Sequence, residues 1–167
     1  MRGMLVLRFA TVLAIAVWIG GLVALGTIAA PAIFEVVSHR QVPDGRLLSG
    51  AIFGDVLRRF ELVSYSCGAL ILAALAVRAV LGPRPRRFSL RVGIAVLMLG
   101  ASMYSGMVLS RRIVSVQESI GAGVAPSSLP SGDPRRVEFG RLHGQSTLIQ
   151  LVPILGGVVL MLFELRD

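Results

Sequence analysis

The sequence predicts an all-α protein, a four-transmembrane-helix bundle with helices extending beyond the bilayer on one side. Three observations carry that expectation. Four uncharged runs, Phe9–Ala30, Leu62–Val77, Val92–Ser110 and Ser146–Phe163, are 22, 16, 19 and 18 residues long. A helix rises about 1.5 Å per residue, so ~20 residues cross a hydrocarbon core of about 30 Å. Hydrophobic residues make up 54% of the chain and charged residues 16%, against about 25% charged in soluble domains. Finally, arginine punctuates the runs, as at Arg8, Arg78, Arg91 and Arg111. The expected organisation is one integral membrane domain over residues 1–167, with spans near 9–30, 62–81, 92–110 and 146–163.

The net charge of +8 comes from 17 arginines without a lysine. They cluster at span ends and in loops, where membrane topology places basic residues. Such a rim attracts anionic lipid headgroups. Aromatic residues are not interleaved with it, so nucleic acid is not an expected partner. The lone cysteine, Cys67, lies inside the second span and reads as a small packing residue. The opening Arg2, Arg8 and apolar run resemble a signal peptide, but the run exceeds the 7–15 residues of that class. It reads as an uncleaved first span.

Trp18 sits in the middle of that span beside Gly20 and Gly21, and small residues let helices approach closely in lipid. Pro31 marks a bend or end, with helix continuing briefly over Ala32–Arg40. Pro43-Asp44-Gly45 is a turn. A helix is then expected from about Arg46 to Leu81. Its first part carries Leu48, Ile52, Val56 and Phe60 as one apolar seam. Arg78, a turn from the end, is expected to snorkel to the interface. Gly82–Arg87 is a short basic connection. The third span follows Arg91, with Gly93, Gly100 and Gly106 as close-packing points. Ile113, Val116 and Ile120 continue its helical period past the membrane. Gly121–Asp133 reads as loop. Asp133-Pro134 is a helix start, and the fourth helix is expected to run to about Glu164. Three helices thus project on the side of the long connections.

With four spans, both termini and the Arg84–Arg91 loop share one side. That arginine-rich side is the expected cytoplasmic face of a cell (inner or plasma) membrane. Acidic residues gather on the other side, among them Glu35, Asp55, Glu61, Glu118 and Glu138.

The fourth helix carries the sharpest polar pattern. His143, Ser146 or Thr147, and Gln150 are spaced i, i+3/4, i+7 and form a stripe descending into the membrane. Polar groups facing lipid lose water without gaining a partner, so the stripe is expected to face the bundle. Ser64, Ser66, Ser102, Tyr104 and Ser105 are its expected partners. Glu35 and His39 complete a candidate polar site at that end. Three readings stay open: an interhelical hydrogen-bond network, a ligand or ion site, and a catalytic site. His39 and His143 could in principle ligate haem. Met103, Met107, Met98 and Cys67 are soft side chains that could suit Cu(I), although flexible packing explains them better. No Gly-x-Ser-x-Gly, Walker, His-Glu-x-x-His or Cys-x-x-Cys signature occurs. No catalytic residue, metal ligand or cofactor is therefore assigned.

Several segments together resemble a family. They are Val17-Trp18-Ile19-Gly20-Gly21, Ala29-Ala30-Pro31-Ala32-Ile33-Phe34, Gly50-Ala51-Ile52-Phe53, and Phe139-Gly140-Arg141-Leu142-His143-Gly144-Gln145-Ser146. In this order they resemble the domain of unknown function 4149, or transmembrane protein 205-like, family. The resemblance implies a small four-span protein without an established reaction. It carries over Pro31, Phe34, Phe139, Leu142, His143 and Ser146 as motif residues. Family members often have asparagine slightly after the serine, where Gln150 is the nearest amide here. The Trp-x-Gly segment is also faintly similar to copper-resistance D-like proteins and to haem-associated four-span proteins.

The leading expectation is a non-enzymatic integral membrane protein. It would handle a small solute, or scaffold partners, through the polar end of its bundle. The alternative is a haem- or copper-linked redox or metal-handling protein, with a membrane-embedded enzyme third.

Overall fold

The computed structural model describes residues 2–82, 84–121 and 123–166, without the side chain of Arg2. Among them every regular element is helical. The elements are α1 (Arg2–Ala24), α2 (Ala30–His39), α3 (Gly45–Leu81), α4 (Phe88–Tyr104), α5 (Ser110–Ile120), α6 (Pro134–Ile149) and α7 (Leu151–Arg166). They form four long rods: Gly3–His39, Gly45–Leu81, Phe88–Ile120 and Pro134–Arg166, of 37, 37, 33 and 33 residues. Each is apolar and long enough to cross a membrane. At about 1.5 Å per residue each also exceeds the hydrocarbon core by roughly 20 Å. The extension belongs to all four rods, not three, because the first continues unbroken to His39.

Inside the bundle, α1 packs on α3, α3 on α4, α4 on α7, and α7 back on α1. This is the up-down-up-down ring that short connections favour. Beyond it, α2 pairs with the start of α3, and α5 pairs with α6. The core is one stripe per rod at three- and four-residue spacing: Ala14, Ile15, Trp18 and Leu22; Cys67, Ile71 and Leu75; Ala95 and Met98; and Leu160. Trp18 is fully buried at its centre. Each stripe is apolar in the middle and polar towards its ends. Arg78, Arg91 and Glu164 are buried near one end, and Ser64, Ser105 and Ser146 near the other.

Two rods reach full length through a wider turn. A π-turn at Leu25–Ala29 precedes Pro31, with the Ala30 N–H bonded to the Leu25 carbonyl. The proline lacks an N–H and crowds the preceding turn. The wider turn takes up that crowding, so the chain bends without ending. A second π-turn, Ser105–Leu109, joins α4 to α5. The fourth rod runs from Pro134 to Arg166, about as expected, with a one-residue break in regular helix at Gln150. Pro153 offers no N–H to the Ile149 carbonyl, which locates that break. Asp133 caps α6, accepting the Arg135 N–H at 2.9 Å. The Arg135 guanidinium also bonds its carboxylate and holds Asp133 below the usual carboxyl range.

Other expectations shift. In the first half of α3 the inward face holds Ser49, Phe53, Val56, Leu57 and Phe60, whereas Leu48 and Ile52 are exposed. A four-residue repeat drifts about 40° per step round a 3.6-residue helix, so four such positions do not keep one face. Gly93 and Gly100 lie in open space, while Gly21 meets the Phe60 ring.

Candidate functional site

The bundle has two polar ends. At the end shared by the termini, Arg78 Nη1 donates to both Glu164 carboxylate oxygens at 2.7 and 2.9 Å. Arg91 Nη1 donates to Glu164 Oε1 at 2.7 Å. Arg91 also caps the Phe163 carbonyl at 2.9 Å and the Arg86 carbonyl at 3.0 Å. Arg8 donates to the Glu164 carbonyl at 2.6 Å. These guanidiniums occupy carbonyls that the last turn of α7 leaves open, at the negative end of its dipole. Arg87 and Arg91 lie 5.8 and 5.4 Å from the Phe163 ring centroid. Arg78 therefore does not snorkel. It is 3% exposed, because a carboxylate inside the bundle gives its charge a nearer partner than headgroup water.

At the other end, the π-turn of the third rod faces the proline break of the fourth. Ser105 Oγ and Ser146 Oγ lie 3.4 Å apart, buried between the π-turn and α6. Ser105 O accepts both the Ser110 N–H and the Ser110 hydroxyl. On α3, Glu61 and Tyr65 pack against this turn. A Cβ added at Gly106 would lie 2.5 Å from Glu61 Oε2 and closer still to Tyr65 Oη. Only glycine lets these side chains reach the turn. The Ser110 hydroxyl stands beside the same carboxylate. Between the rods lies a cavity of about 20 Å³ whose polar wall is Glu61, Ser64, Ser102, Ser105 and Gln150, with Leu22 and Phe60 on its apolar side. That volume is about what one water needs.

The expected polar stripe is split. Ser146 turns inward against Ser105, and Gln150 lines the cavity together with Ser64, Ser102 and Ser105. His143 is exposed and stacks on Phe139 at 6.2 Å, and Thr147 bonds back to the His143 carbonyl. The buried face of α6 is set by Leu142 and Ser146, four residues apart, and His143 stands about 100° round the helix from Leu142. Glu35 and His39, 3.7 Å apart, have side chains 71% and 78% exposed. Tyr104 and Ser66 are also exposed. The structure thus does not bring Glu35, His39, Tyr104 and His143 to the cavity. Of the soft side chains, Met98 and Cys67 are buried while Met103 and Met107 lie on an exposed face. Among the described residues no three His, Cys, Asp or Glu side chains gather as a metal site would need.

Sequence reasoning passed over Glu61 as a site residue. The available signal was its register: Glu61 lies three residues before Ser64 and so continues the buried stripe of α3.

Four membrane-length helices closed into one ring, with a polar cavity near one end, define a small integral membrane protein. The family model for a domain of unknown function (DUF4149) matches residues 13–122, and the chain belongs to that family. The match includes Glu61, Ser64, Ser102 and Ser105, and ends before the Phe139–Ser146 segment. No curated protein and no solved structure gives a match.

Proposed function

We propose that this protein is a non-enzymatic membrane protein that handles a very small polar solute in the Glu61–Gln150 cavity. The observation that carries the reading is the place where two helix irregularities face each other. The Ser105–Leu109 π-turn and the break at Gln150 both stand at the wall of one cavity, with the side chains of Ser105 and Gln150 lining it. In lipid, irregular backbone is tolerated where it is buried in protein or lines a watery cavity, and π-turns recur at functional sites. The cavity volume limits the solute to the size of a water or a small ion.

The single cysteine makes the test direct. In a Cys67→Ala background, Ser64→Cys changes one buried hydroxyl of the cavity wall to a thiol of similar size. Silver ion, a thiol-reactive monovalent cation small enough for the cavity, should modify that thiol at least tenfold faster than the native Cys67, which lies one turn further into the core. Equal, slow modification of both would remove the reading.

The reading includes a cell (inner or plasma) membrane, cytoplasmic termini and contact of the basic side with anionic headgroups. A C-terminal green fluorescent fusion should therefore fluoresce in cells. A dark fusion, with full-length chain present in the membrane, would reverse the orientation.

A further inference from the structure

Each end of the bundle holds one inward-facing carboxylate, and the two are treated differently. Glu164 is surrounded by the guanidiniums of Arg78 and Arg91, with Arg8 beside them. Glu61 has no ion pair within 4 Å among the described residues. The two arginines nearest along its own helix, Arg58 and Arg59, are both bonded to Asp55, and Arg58 acts on Glu61 only through space. Glu61 also lies about 20 residues before the Leu81 end of α3, which places it roughly 30 Å away, at the far border of the hydrocarbon layer. An ionised carboxylate withdrawn from water needs a counter-charge. Beyond that distant Arg58, the elements facing it supply none among the described residues. Ser102, Ser105 and Ser110 bring hydroxyls, Gln150 an amide, and Tyr65 a phenol. Pro153 leaves the Ile149 carbonyl, at the same wall, without its helical donor.

These groups are hard oxygen ligands around one negative charge, in a space for one small particle. We propose that the cavity binds a single monovalent cation on Glu61, either a sodium ion or a proton on the carboxylate. One carboxylate balances one positive charge, whereas divalent hard cations draw on several carboxylates or keep their waters. Cation binding neutralises Glu61 and closes the gap between α3, the π-turn and the Gln150 break. Releasing the cation leaves a bare carboxylate against Gly106 and loosens that end. The inference rests on the cavity's being a solute site and names the solute class.

The experiment is thermal unfolding of the full chain in nanodiscs, in sodium chloride against choline chloride at equal ionic strength, from pH 5 to 8. The difference between wild type and Glu61→Gln is the readout. In the sodium arm, wild type gains a saturable stabilisation over choline that Glu61→Gln lacks, and Ser102→Ala needs about fivefold more sodium to reach it. In the proton arm, sodium and choline are equivalent, and acidification stabilises wild type relative to Glu61→Gln. A wild type that shares every sodium and pH response with Glu61→Gln overturns the proposal. If Glu61→Gln does not fold, infrared difference spectra of wild type decide. The carboxyl band of Glu61, assigned by its change on titration in Ser102→Ala, must respond to sodium or to pH in this range, and a silent band overturns the proposal. A modified Ser64→Cys with no cation response would refute the cation while leaving the cavity as a neutral-solute site. An inert Ser64→Cys would remove both.

Discussion

Glu164 carries one negative charge against the guanidiniums of Arg8, Arg78 and Arg91, all inside or at the edge of the bundle. Buried ion pairs gain little net stability because both charges lose water, but removing one partner strands the others. Glu164→Gln should therefore destabilise the fold by about 3–5 kcal/mol. Arg8→Gln should cost about 1 kcal/mol or less, since its side chain is 38% exposed and screened by solvent. Equilibrium unfolding in mixed detergent micelles checks the contrast, and equal losses would show that no charge is stranded. The cluster was legible in the sequence. Arg78 follows Leu75 by three residues, Arg91 precedes Ala95 by four, and Glu164 follows Leu160 by four. Each continues a buried stripe in register. What hid the cluster was reading each arginine alone, as an anchor, instead of asking which carboxylate shared its depth.

Among the elements, α1 and α3 meet closely at Gly21. A Cβ there would overlap the Phe60 ring, and the ring is partly buried against the core. Gly21→Val should cost about 1–3 kcal/mol through overpacking. Phe60→Leu in the same chain should recover part of the loss, while Phe60→Leu alone should destabilise. An additive double mutant in the same unfolding assay would mean the two positions do not touch. Helix boundaries were readable from the sequence because proline and capping residues act locally: Asp133-Pro134 starts α6 as its residues require. The π-turn at Ser105–Leu109 was not readable in the same way, because it follows from how a rod meets its neighbour, with Gly106 against Glu61 and Tyr65, and Ser105 against Ser146. The break at Gln150 had a local signal in Pro153, three residues on. The candidate site depends on those two irregularities, so its composition was only half visible beforehand. Ser146 and Gln150 were found through their polarity, and Glu61 was counted only among the acidic residues of that side.

At the scale of the whole molecule, charge is distributed unevenly between the two sides. On the side of the termini, Arg84, Arg86 and Arg87 are exposed and Arg8 is partly so, while Glu164 is buried among arginines. On the other side Asp55 bonds Arg58 and Arg59, and Asp133 bonds Arg135. That side carries nine arginines against seven carboxylates, whereas the side of the termini carries eight against two. The first side is left to the lipid, and a basic residue near an anionic surface contributes up to about 1 kcal/mol. Nanodiscs containing phosphatidylglycerol should raise the unfolding midpoint by several degrees over phosphatidylcholine alone, since about 1 kcal/mol shifts a domain of this size by roughly 2–4 °C. Salt should erode the difference, because surface charges are screened over about 10 Å at 0.1 M. Arg84→Gln/Arg86→Gln should roughly halve the shift, whereas Arg58→Gln/Arg59→Gln on the opposite side should leave it nearly intact. An equal effect of both pairs would mean that the lipid responds to net charge alone, and that the two sides of the bundle are electrostatically equivalent.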